Sequence, residues 1–160
     1  MSAGKALLQS LVAAGVSVFT LTAAAQARPD YGTAIDLAGA KKIAAGVLAE
    51  CRNNKWNVAV AIVDTHGSLV YFERLDNTQT ASPDIAILKA RNGAMYRRPT
   101  RAWVDTIAKT GPAVMTLPGV VASPGGLPIF ADGKVIGGVG VSGVTGDQDE
   151  QCAKAGLAGM

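Results

Sequence analysis

Residues 56–75 read WNVAVAIVDTHGSLVYFERL, and this stretch decides the fold. Trp56 to Asp64 alternates around β-branched residues, the pattern of a strand, and Leu69 to Leu75 is a second. Thr65-His66-Gly67-Ser68 is a compact turn, so the two strands pair as an antiparallel hairpin. A second hairpin lies downstream: Leu127–Phe130 and Val135–Val141 flank the turn Ala131-Asp132-Gly133-Lys134. The glycines of VIGGVGV (135–141) leave room for a close neighbour.

Helices surround these hairpins. Residues 34–53 carry Ala40, Ile43, Ala44, Val47, Leu48 and Cys51 at helical spacing, with Asp36 near the start and Asn53-Asn54 at the end. Ser82-Pro83-Asp84 opens a second helix with a capping serine, proline at the first helical position and an acid in the first turn. It runs to about Arg97, and Ala86, Ala90, Gly93 and Ala94 give it a small-residue face able to lie close on a sheet. Arg98-Pro99 breaks it, and Thr100 is expected to cap a shorter helix to about Thr110. Residues 111–126 form the longest irregular segment, and Gly146 to about Ala158 a terminal helix. The order α-β-β-α-α-β-β-α predicts an α+β fold with a single antiparallel sheet flanked by helices.

The chain has 160 residues, 49% hydrophobic and 17% charged, enough for one domain. Lys5 precedes a mostly apolar run from Ala6 to Ala25, and Ala25-Gln26-Ala27 supplies small residues before Arg28. This is the layout of a secretory signal peptide over residues 1–27. Cleavage near Ala27 leaves a domain of residues 28–160, periplasmic or secreted. Interrupting polar residues make a membrane anchor the poorer reading, and no later stretch is apolar enough to span a bilayer. Of the 15 Lys and Arg only Lys5 falls in the leader, so 14 remain against 12 acids. That balance excludes a strongly basic nucleic-acid binder and an acidic disordered tail. Export leaves two readings of Cys51 and Cys152: one disulfide joining two helices, or two buried thiols.

His66 is the only histidine. A turn residue in solvent is its bland reading; its functional one is a metal-ligating imidazole. A second ligand would come from Met95, Met115, Tyr96, a threonine, a neighbouring subunit or water. Arg91, Arg97, Arg98 and Arg101 gather where the second helix ends. The helix dipole favours cations there, and arginine also pairs bidentately with carboxylates. Gly125-Gly126 makes either a tight turn or a backbone cradle. Asp147, Asp149 and Glu150 suit the first turn of a helix as well as they suit a metal. Gly137-Gly138-Val139-Gly140 lies inside a strand, which excludes a dinucleotide fingerprint. No spacing implies a Ser/His/Asp triad.

In order along the chain, several blocks resemble the GlcG/HbpS haem-binding family. They are Val63 to Asp76 (VDTHGSLVYFERLD), the Ser82–Ala94 helix, Arg98-Pro99-Thr100, Gly125 to Ile129 (GGLPI), Asp132 to Gly143 (DGKVIGGVGVSG) and Asp149 to Ala153 (DEQCA). The resemblance covers about residues 33–159, and extends to the C-terminal domain of PduO-type cobalamin adenosyltransferases. It implies a small domain that forms homo-oligomers, is exported in several members and binds haem in some. Joined to the residue chemistry, it implies an apolar slot with His66 at the iron, Arg97 and Arg98 on the propionates, and Lys89, Met95, Tyr96, Gly125 and Gly126 around them. Two rival readings are an accessory enzyme on a small hydroxy or oxo acid, with His66 or Asp64 moving a proton, and a non-catalytic oligomeric scaffold.

Overall fold

A computed structural model describes residues 27–160. The expected signal peptide over residues 1–27 lies, but for Ala27, outside the described residues. The elements are α1 (Leu37–Asn53), β1 (Ala59–Val63), β2 (Leu69–Arg74), α2 (Ser82–Tyr96), α3 (Arg101–Thr110), a 3-10 turn (Pro112–Thr116), β3 (Gly126–Ala131), β4 (Lys134–Ser142) and α4 (Gly146–Ala158). The expected order holds. The four strands form one antiparallel sheet, β2-β1-β4-β3, with Val60 opposite Glu73 on one side and Val141 on the other.

β1 is buried along its whole length because both faces of the sheet are covered. Val58, Val60 and Ile62 meet α1 and α4 together with Ile129, Val139 and Val141. Ala59, Ala61 and Val63 face Ala86, Ala90 and Ala94 of α2. The second face is built from small side chains, so α2 rests almost backbone to backbone on β4. A Cβ on Gly140 would stand 2.0 Å from the Ala86 carbonyl oxygen, and one on Gly138 2.2 Å from that of Ala90. On α2 itself, a Cβ on Gly93 would meet the Leu127 carbonyl at 2.7 Å.

Cys51 and Cys152 form a disulfide that ties α1 to α4 across 101 residues. Across the opposite layers, Lys89 of α2 reaches past the end of β4. Its Nζ donates to Asp149 Oδ2 of α4 at 2.8 Å and to the Val141 carbonyl at 3.0 Å, with both side chains almost wholly buried. Burial pushes the Asp149 carboxyl above the ordinary aspartate range, an effect larger than the opposing pull of Lys89.

An N-terminal strap completes the sheet. β1 meets β4 only from Gly138 onward. Beyond that point residues 30–35 run beside β4: Val135 N donates to Asp30 O, Gly32 N to Val135 O and Ile35 N to Ile136 O, at 2.8 to 2.9 Å. The strap therefore lies next to the β1–β2 turn.

Two expected helix caps are corrected. Ser82 does not cap α2; Ala81 occupies that place without a side-chain bond, while Pro83 sits in the first turn as expected. Thr100 precedes α3 but does not bond to its amides. Its hydroxyl accepts from Gly126 N at 3.0 Å, joining α3 to β3. Asp36 does cap α1, accepting from Gly39 N at 2.8 Å.

Candidate ligand-binding site

The β1–β2 turn is organised by Asp64. Its Oδ1 accepts from His66 N at 2.8 Å and Ser68 N at 2.9 Å, and Gly67 takes a φ of +83° that favours glycine. The Asp64 carboxylate thus holds the turn together. His66 projects from it, exposed. Its Nδ1 lies 3.2 Å from Thr65 Oγ1. With Nδ1 as the donor in that contact, Nε2 carries the free lone pair, the tautomer a metal ligand needs.

The turn is docked on the last two turns of α2. Arg91 Nε donates to Gly67 O at 2.9 Å, and Met95 Sδ lies 2.9 Å from where a Cβ on Gly67 would stand. From the strap, the Tyr31 hydroxyl donates to Met95 O at 2.9 Å, capping the end of α2. Tyr31, Gly32, Thr65, His66 and Met95 enclose a cavity of about 430 Å³. On the other side of Met95 lies one of about 470 Å³, lined by Leu88, Arg91, Asn92, Tyr96 and Pro118 among others. Its wall is rigid. Tyr96 donates to Pro118 O at 2.6 Å and stacks edge-on against Trp103, whose Nε1 donates to Asn92 Oδ1 at 2.8 Å.

The other expected site residues lie elsewhere. Arg97 and Arg98 line a third cavity, of about 590 Å³, beyond the strap. Arg97 Nη1 donates to Pro29 O at 2.9 Å and its guanidinium stacks on Tyr31, so the first and third cavities share a wall. His66 and the two arginines thus line different cavities. Lys89 is held in the interior by Asp149. Gly125 and Gly126 are buried where β3 passes α2, and a Cβ on Gly126 would stand 2.3 Å from the Lys89 carbonyl oxygen. Their role in the structure is close packing.

The acidic group at the start of α4 is consumed by cations. Arg101 bonds Asp147 and Glu150, Lys154 bonds Glu150 at 2.6 Å, and Asp149 holds Lys89. Among the described residues, no cluster of three His, Cys, Asp or Glu is arranged to hold a metal. The sequence reading omitted Tyr31, which no local pattern marks. Its place depends on strap pairing with β4 more than 100 residues away.

A family model described as "Haem degrading protein HbpS-like" matches residues 35–158. Protein GlcG of Escherichia coli K12 is 38% identical over 100 residues, covering 62% of this chain and 74% of that protein. A crystal structure of a double mutant of Streptomyces reticuli HbpS superposes with a TM-score of 0.74 at 30% identity, covering 92% of this chain and 97% of that one. The crystal structure of a PduOC:haem complex also gives 0.74, at 25% identity over 80% of this chain and 96% of that one.

Proposed function

The chain belongs to the HbpS-like family, and on that footing we propose that it is an exported protein that binds haem at the groove where the β1–β2 turn meets the end of α2. The observation that carries this reading is the exposed His66 imidazole lining one cavity with the Met95 thioether. Haem iron takes imidazole and thioether ligands. His66 would hold the iron through its imidazole. Met95, 53% exposed, supplies the soft sulfur between the two cavities. Arg91, not ion-paired among the described residues, offers its remaining N–H groups to a carboxylate. Leu88 and Tyr96 give the apolar wall.

Two features support export. Ala25-Gln26-Ala27 fits a leader-peptidase site, and a disulfide between α1 and α4 suits an oxidising compartment. Among the described residues no helix is long and apolar enough to cross a membrane. The protein is also a homo-oligomer in this reading. Val104 on α3 and Met115 and Leu117 beside it remain well exposed, because α3 lies off the sheet with only Trp103 buried.

Haemin titration tests the site. Wild-type protein should develop a saturable Soret band, and His66→Ala should shift that band and weaken binding about tenfold or more. An identical spectrum and affinity in the variant would remove His66 from the site.

A further inference from the structure

The third cavity has no role in the haem reading, yet its chemistry is specific. Arg28, Arg97 and Arg98 converge on it from the strap and the end of α2. None of the three is ion-paired among the described residues. Arg98 lies over the Trp103 ring at 3.6 Å, and its Nε is buried without a hydrogen-bond partner. Burial and then the like charge of Arg28 lower the Arg98 pKa from the usual guanidinium value. Three cations held together without a counter-charge are a standing electrostatic cost that an anion would relieve.

The lining says what sort of anion. Leu127, Pro128, Phe130 and Leu157 make an apolar floor, and Phe130 is 44% exposed there. Pro29, Pro99 and Pro128 offer no amide hydrogens, so the backbone donors that commonly cradle phosphate are scarce. Guanidinium groups pair in plane with a carboxylate, and the floor covers an apolar body. A volume of about 590 Å³ falls in the range of small-molecule sites.

We infer that the cavity bounded by Arg28, Arg97 and Arg98 is a second binding site, separate from the His66 groove, for a small organic acid with one carboxylate and an apolar body. Octanoate is a suitable probe and octanol its uncharged control, titrated calorimetrically into protein isolated after expression of the full 160-residue chain. Octanoate should bind saturably and octanol should not. Arg28→Ala should weaken octanoate about fivefold or more, and because Arg28 is exposed on the strap this variant keeps the fold. Arg98→Ala should weaken it further, and His66→Ala should leave it unchanged. Added salt should lower the affinity. No octanoate binding, equal binding of octanol, or full affinity in Arg28→Ala overturns the inference; so does displacement of octanoate by haemin, which would merge the two sites. The haem reading is judged on the His66 spectrum alone, so either can fail without the other.

Discussion

Replacing Gly140 by alanine probes the contact on which the functional end of α2 depends. The new methyl would stand 2.0 Å from the Ala86 carbonyl oxygen and 2.4 Å from the Ala90 nitrogen, where ordinary contact begins at 3.4 Å. Both obstructing atoms are helix backbone, so no rotamer change relieves the clash, and α2 must retreat by about 1.4 Å or tilt. Overpacking in a core costs about 1–3 kcal/mol, and a backbone obstruction belongs at the upper end. Loss of glycine freedom in the unfolded chain returns about 0.4–1 kcal/mol. The net expectation is a loss of about 2 kcal/mol, read as a fall of roughly 1 M in the urea midpoint with an unchanged slope. Adding Ala86→Gly should not rescue the variant, because the obstacle is the carbonyl of residue 86 and not its methyl. Met95 and Arg91 ride on the displaced helix, so haemin affinity should fall as well. A midpoint within about 0.3 M of the parent would refute the close packing of α2 on β4.

Other perturbations test the remaining supports. Gly67→Ala places a methyl 2.9 Å from Met95 Sδ at a φ of +83°; a strain of about 1–2 kcal/mol should loosen the turn and reduce haemin affinity while far-ultraviolet dichroism stays native. Lys89→Met strands the buried Asp149 carboxylate and should cost about 3–5 kcal/mol in chemical denaturation, whereas Lys89→Met with Asp149→Leu should recover much of it. Equal losses in the single and double variants would show that the ion pair is not the source. Exchanging Cys51 and Cys152 together for alanine opens a crosslink spanning 101 residues, with an expected loss of about 2–5 kcal/mol. Reductant should lower the melting temperature of the parent to the same degree, and no change on reduction would count against the crosslink.

Much of the architecture was legible locally. The alternation in residues 56–75 and the two short turns specify antiparallel hairpins, because successive side chains of a strand point to opposite faces and here the two faces admit side chains of different size. The small face of α2 and the glycines of β4 announce close packing in the sequence. Each signals a close neighbour by itself, and the packed fold makes them each other's. The caps at Ser82 and Thr100 were misread for the opposite reason. A hydroxyl near a helix start has several amides within reach, and Thr100 found Gly126 of β3 instead of its own helix.

The candidate site divides in the same way. Sequence alone singled out His66 on a hairpin tip and the arginines at the end of α2, because turn chemistry and helix punctuation are local properties. Which of them share a cavity was settled only in three dimensions. Tyr31 and the strap place Met95 beside His66 and set Arg97 and Arg98 on the far side, while Lys89 turns inward to Asp149. The disulfide is likewise a product of α1 packing on α4, which no spacing between residues 51 and 152 encodes. Periodicity and turn residues act over a few positions and so determine the elements. The grouping of side chains depends on contacts between segments as much as 100 residues apart and more, and only the packed fold supplies those.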